Sequence, residues 1–136
     1  MLQLVIHGGA GSLEGKTAEA KNSHQSLCRI WEETFELLKK KTAEDAVIHG
    51  IRLLEDDPVF NAGTGSKIQA DGKIRMSAAL MDGVENRFSG VINVQNIRFP
   101  IEAAALLSKE KNTVLSGNQA TEFCRKHGVV EHAPLK

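Results

Sequence analysis

The chain is poor in aromatic residues, which make up 4% of it, and it has no tyrosine at all. A stacking platform for single-stranded nucleic acid needs aromatic faces, so that class of function is disfavoured. Charge of one sign is also missing: Lys+Arg and Asp+Glu both total 17, and no global field would draw in nucleic acid or an anionic membrane. No apolar run approaches the ~18 residues of a membrane span. The opening Met1–Gly9 has neither the basic region nor the cleavage site of a secretory leader, so a cytoplasmic protein is expected. Cysteine is scarce too. Cys28 and Cys124 show no CxxC spacing and are expected to be reduced, buried thiols. What is present is ordinary: 136 residues, 41% hydrophobic, 25% charged, enough for one core.

Leu2–Ile6 is a short apolar run ending in His7-Gly8-Gly9-Ala10-Gly11-Ser12, the pattern of a buried strand entering a Gly-rich turn. Leu27, Ile30, Trp31, Phe35 and Leu38 recur at helical steps from about Ser23. Thr42 to Asp45 resembles a capping box opening a second helix, which Pro58 ends. Val59–Ser66, with Gly63 and Gly65, should be irregular. Asp71-Gly72 between Lys67–Gln69 and Lys73–Met76 predicts a hairpin with a type I′ turn. The second strand is expected to run to Asp82-Gly83, and Ser89–Val94 to add a third. Pro100 suits the first position of a helix over Ile101–Leu107, and a last helix over Gln119–His127 should end on Gly128. Residues 1–128 then form one α+β unit with a mostly antiparallel sheet, and residues 129–136 read as linker. Four strands without a closing edge suggest a sheet completed by something else.

Two segments could carry chemistry. Three glycines among Gly8, Gly9, Ala10 and Gly11 expose backbone N–H groups that suit an anion or oxyanion, or simply serve a turn. There is no Gly-Lys-Ser/Thr, and the spacing does not match GxGxxG. Phe60-Asn61-Ala62-Gly63-Thr64-Gly65-Ser66 could fold sharply and turn carbonyls inward for a hard cation, or only connect a helix to a strand. Glu55-Asp56-Asp57 is expected to be a solvated helix end, and Asp45 with His49 a surface pair. No HExxH, zinc pattern or GxSxG occurs.

Ile6–Ser12, Asp57–Ser66 and Met81-Asp82-Gly83, followed by Pro100-Ile101, Gly117 and Phe123, together resemble the alpha subunit of plant-type asparaginases. These are the isoaspartyl peptidase branch of the N-terminal-nucleophile hydrolases. The opening is less similar to the glycosylasparaginase branch. The resemblance implies half of an αββα sandwich completed by a beta subunit from the same precursor, in an (αβ)2 heterotetramer. It implies hydrolysis of β-aspartyl amide bonds by an N-terminal threonine carried on that partner, with Lys136 in the linker before the cleavage step. No catalytic cofactor is implied. Asn61 would support the nucleophile, and Gly8, Gly9, Ala10 and Gly11 would line the site. A structural sodium would be held by main-chain carbonyls of Leu54, Glu55, Asp57, Phe60, Ala62 and Thr64, and the charge of Glu55 to Asp57 would favour it. The chain departs from the family at Ser77, where Asp is usual, and at Phe88-Ser89-Gly90-Val91, so asparagine and isoaspartyl peptides both stay open as substrates. A different class of reading is a stand-alone module holding a small anion or metabolite on the Gly-rich turn. A third is a purely structural subunit pairing through its open sheet edge.

Overall fold

The computed structural model describes residues 1–11 and 15–131; Ser12 of the Gly-rich turn and residues 132–136 of the expected linker lie outside the described residues. Four helices and three strands follow one another: α1 (Thr17–Leu38), α2 (Ala43–Asp56), β1 (Met76–Asp82), β2 (Arg87–Val94), α3 (Pro100–Leu107), β3 (Val114–Ser116) and α4 (Gly117–Lys126). No helix among the described residues is long and apolar enough to cross a membrane.

α1 starts at Thr17, ahead of the first apolar repeat, because Ala18-Glu19-Ala20-Lys21 are good helix formers that need no core contact to extend the helix into solvent. The capping box at α2 is present in full. Thr42 Oγ1 accepts from Asp45 N–H at 3.1 Å and Asp45 Oδ2 accepts from Thr42 N–H at 3.3 Å. α3 begins on Pro100 as expected. α4 ends in a Schellman motif: Gly128, at φ +72°, donates to Arg125 O, and Val129 donates to Cys124 O. Val129–Glu131 therefore belong to the packed body. Val129 is buried, Arg98 N–H donates to Val130 O at 2.9 Å, and Glu131 pairs with Arg125 at 3.0 Å.

β1 and β2 form the expected antiparallel pair, joined by a turn in which Asp82 Oδ1 accepts from Val84 N–H at 2.8 Å. The sheet is nonetheless mixed rather than antiparallel throughout, since its third member, the short β3, lies parallel to β2 after the α3 crossover. Three residues were too short a run for periodicity to announce. Two expected strands are absent among the described residues. Leu2–Ile6 finds no ladder: Leu4 O accepts instead from the Trp31 indole N–H at 3.1 Å, and Val5 is 91% exposed. The Asp71-Gly72 hairpin shrinks to a three-residue loop closed by Gln69 N–H to Lys73 O at 2.9 Å. Only Gly72 has positive φ there, so the turn is not type I′; it matches a type I turn followed by a left-handed glycine.

The core runs in one direction across these elements. Met76, Val91, Val94, Ile97, Ala103, Leu107, Ala120 and Cys124 lie between the sheet and α3/α4. Leu80, Ile101 and Ala104 continue it toward α2, and Ile30, Leu54 and Phe60 continue it to α1. Cys124 is buried as expected, and that burial pushes its thiol up to about 11. Cys28 is not: it sits on the exposed side of α1, its Sγ 3.6 Å from His24 Nε2. Removing the capping acceptor in Thr42→Ala should lower stability by ~1 kcal/mol in urea unfolding of the assembled protein. An unchanged midpoint would show that the cap does not support α2.

Candidate functional site

α2 ends in a way that leaves carbonyls without their helical partners. Asp57 N–H closes the last turn on Leu53 O at 3.2 Å. Leu54 O would next bond residue 58, but that is Pro58, which has no N–H. Glu55 O would take Val59 N–H, which instead donates to Asp57 Oδ1 at 3.0 Å. Two acceptors are thus left at the negative end of a 14-residue helix.

The chain then folds back over these acceptors. Asp57 O accepts from Phe60 N–H at 3.2 Å, and a 3₁₀ turn over Gly63–Gly65 follows, with Gly65 N–H on Ala62 O at 3.0 Å. Gly63 has φ +48°, and a Cβ there would lie within 2.7 Å of the Glu55 C and Cβ and closer still to its oxygen. A Cβ at Gly65 would lie 2.6 Å from Pro58 O and closer to Phe60 O. Both glycines are needed because they rest directly on main-chain carbonyls. The bland alternative, glycines serving only a turn, does not account for this contact. Oxygens so arranged suit a small hard cation better than a soft one. Among the described residues, no three His, Cys, Asp or Glu side chains form a metal-binding group.

Asn61 stands on this loop. Its Oδ1 accepts from Lys67 N–H at 2.9 Å, so the other end of the amide is the NH2, which has no hydrogen-bond partner among the described residues. Asn61 lines a cleft of about 280 Å³ together with Glu55, Lys67, Arg75 and Ser77. Gly8 reaches the same neighbourhood from the other side. It packs on Phe60, one residue before Asn61, so tightly that a Cβ would be 2.8 Å from the ring. Gly9, Ala10 and Gly11 are exposed and are not among the residues lining that cleft. Gly9 N–H is turned toward His7 Nδ1 at 3.3 Å, which draws it away from an outward-facing anion nest.

The largest departure from expectation is Glu55. The acidic run was expected to be solvated, but only part of it is. Asp56 pairs with Arg98 at 2.7 Å and Asp57 with Arg29 at 3.1 Å, whereas Glu55 is 4% exposed. Its Oε1 accepts from Ile101 N–H at 3.1 Å, and its Oε2 is buried with no partner among the described residues. Burial pushes this carboxyl up to about 8, against the pull of the Ile101 N–H; Glu102 adds to the rise and Arg52 opposes it. The signal was in the sequence, because Glu55 lies four residues after Ile51 on the buried side of α2. The expected surface pair of Asp45 with His49 does not form: Asp45 is the cap partner of Thr42, and His49 pairs with Glu33 at 3.0 Å. Ser77, at the family's usual Asp position, accepts from Asn93 N–H at 3.2 Å where β1 and β2 bulge. Ser89 is buried and donates to Ala104 O at 2.7 Å.

The described residues form a mixed α+β body in which a glycine-dependent carbonyl loop lies beside an amide-bearing cleft. The asparaginase family profile matches residues 1–135. A protein of Nostoc sp. named isoaspartyl peptidase/L-asparaginase is 49% identical over 98% of this chain, which covers 42% of that protein. A plant-type L-asparaginase of Pyrococcus abyssi is 36% identical, with 98% of this chain covering 44% of it. An isoaspartyl peptidase/L-asparaginase of Macaca fascicularis is 35% identical, with 94% of this chain covering 42% of it. The chain belongs to the asparaginase family, and it spans about two fifths of the length of these relatives.

Gly63→Ala should cost more than about 4 kcal/mol or give no folded product, since positive φ and the carbonyl contact act together. Gly72→Ala has open space around it and should cost only the ~1–2 kcal/mol of a left-handed alanine. Equal losses in thermal unfolding would refute the packing described for Gly63. A second expectation concerns acid. Asp71 bonds Arg75, which holds its carboxyl down to about 2. A depressed folded-state pKa contributes stability above the unfolded value of about 3.9, and that stability is lost as pH falls through about 2. Asp71→Asn should therefore flatten the acid limb of the stability curve in that window, and an unaltered limb would exclude the pair as its source.

Proposed function

We propose that this chain is the alpha subunit of an autoprocessed hydrolase that cleaves β-aspartyl amide bonds, in isoaspartyl dipeptides, L-asparagine or both. The observation that carries this reading is the 49% identity, over 98% of the chain, to a relative named for those two activities. The nucleophile is an N-terminal threonine of a beta subunit from the same precursor. Its hydroxyl attacks the β-carbonyl carbon and passes its proton to the threonine's own α-amine. The tetrahedral oxyanion, held by oriented donors, collapses with loss of the amine, which takes that proton. Water then hydrolyses the acyl ester and frees the threonine.

This chain's part is positioning. The Asn61 NH2 hydrogen-bonds the nucleophile's oxygen or the reacting carbonyl, and Gly8 to Gly11 let the partner approach closely. A sodium ion held by the carbonyls of Leu54, Glu55, Asp57, Phe60, Ala62 and Thr64 braces the loop. The two orphaned carbonyls of α2 and the carbonyls lying under Gly63 and Gly65 support that fit. The partner completes an αββα sandwich in an (αβ)2 heterotetramer. Support for a covering layer comes from the outer sheet face, where Met81 and Phe88 pair across the strands at 55% and 52% exposure.

The test is the full gene product. Its mass spectrum should show two fragments from one precursor, the second beginning with threonine, and the assembly should release aspartate from a β-aspartyl dipeptide or from L-asparagine. A single uncleaved chain inactive on both would sink the proposal. Asn61→Ala should leave processing and folding intact while lowering turnover severalfold. Unchanged kinetics would remove Asn61 from the site. Crystals grown in sodium salts should show spherical density ringed by about six carbonyl oxygens.

A further inference from the structure

α3 begins without a cap of its own. Its N-cap residue is Phe99, which has no side-chain acceptor, and Pro100 at the first position removes one orphan donor but leaves Ile101 N–H unmatched within the helix. The acceptor comes from a different element, 46 residues earlier in sequence: Glu55 Oε1 at 3.1 Å. That bond pins the C-terminal turn of α2 to the N-terminal turn of α3. The same residue is the floor of the site loop, because Gly63 rests on the Glu55 carbonyl and Cβ with no room for a methyl. Gly63 is two residues from Asn61, whose other side is fixed through Lys67. Glu55 and Asn61 also line one cleft. Neighbouring ion pairs hold the frame: Arg52 with Glu102 at 3.1 Å, and Asp56 with Arg98.

We propose that the Glu55 side chain is a positioning residue for Asn61, acting through the bond to Ile101 and the contact with Gly63 to set where the Asn61 amide stands in the cleft. The coupling runs from the α3 N-terminus through Glu55 to Gly63 and then to Asn61. The inference rests on the hydrolase reading only for its kinetic arm. It depends on the acceptor at Oε1 and on side-chain volume, not on a proton transfer, so glutamine should replace Glu55 and a shape-matched residue without an acceptor should not.

The test uses the processed two-chain assembly with four variants: Glu55→Gln, Glu55→Met, Asn61→Ala and the double variant Glu55→Met/Asn61→Ala. Glu55→Gln should stay within about twofold of wild type, and Glu55→Met should lose about tenfold, in kcat rather than KM. In the double variant, Glu55→Met should add less than about twofold to the loss from Asn61→Ala alone, because a residue acting through another has nothing further to remove. Losses that multiply, or a Glu55→Gln variant as damaged as Glu55→Met, would overturn the inference. A second readout does not need turnover: the side-chain NH2 resonances of Asn61 in ¹⁵N-asparagine-labelled protein should move in Glu55→Met and stay in place in Glu55→Gln. If Glu55→Met gives no folded assembly, Glu55→Gln decides alone. Near-wild-type kcat with unmoved Asn61 resonances upholds the inference, and a loss beyond about tenfold overturns it. If wild type itself turns over no β-aspartyl substrate, the hydrolase reading falls while the resonances still decide the role of Glu55.

Discussion

The rest of the site depends on how one helix stops. Pro58 denies Leu54 its helical donor, the Asp57 carboxylate draws off the donor for Glu55, and the chain must turn over the exposed carbonyls at once. A turn that close tolerates only glycine at its contact points, hence Gly63 and Gly65. The negative end of the α2 dipole lies beneath this turn, while Asp57 O and Ala62 O accept from Phe60 and Gly65 N–H within it. Asn61 is placed by that geometry as a consequence, with the oxygen end of its amide held by Lys67 N–H.

The same termination explains why a carboxyl can be buried beside the cleft. Glu55 lies on the core side of α2 and would be costly there as an isolated charge. It is tolerated because α3 arrives with an unmatched N–H for Oε1 and because burial, which pushes the carboxyl up to about 8, favours its neutral form. Each helix thus resolves the other's defect. α3 lacks a capping side chain, α2 carries a carboxyl with nowhere polar to go, and the bond between them joins the layer under the sheet to the layer bearing the site.

Much of this was legible in the sequence where the determinants are local. The Thr42–Asp45 box, the proline start of α3, the Gly128 stop and the strands around Asp82 rest on interactions within a few residues, and they stand where pattern put them. The failures share a different cause. Leu2–Ile6 and Lys67–Gln69 have strand composition, but a strand exists only if a neighbouring edge accepts its bonds, and that is a property of the ensemble of elements. β3 is the converse case, three residues made a strand by the edge of β2. Glu55 was misread for a similar reason: its acidic neighbours suggested solvent, while its spacing from Ile51 pointed inward.

The site residues themselves divide along the same line. Asn61, Gly63 and Gly65 could be singled out because a folded loop of glycines and one amide is unusual in sequence as well as in space. The Gly8–Gly11 segment could be singled out too, yet only Gly8 is explained within this chain, by the Phe60 ring against it. Gly9, at φ +118°, and Gly11 have no neighbour that a Cβ would meet. Among the described residues this turn is constrained by its backbone at Gly9, and no neighbour meets a Cβ at Gly11. Gly8 and Gly9–Gly11 thus differ in kind, one fixed by packing against Phe60 and the others open on the described surface.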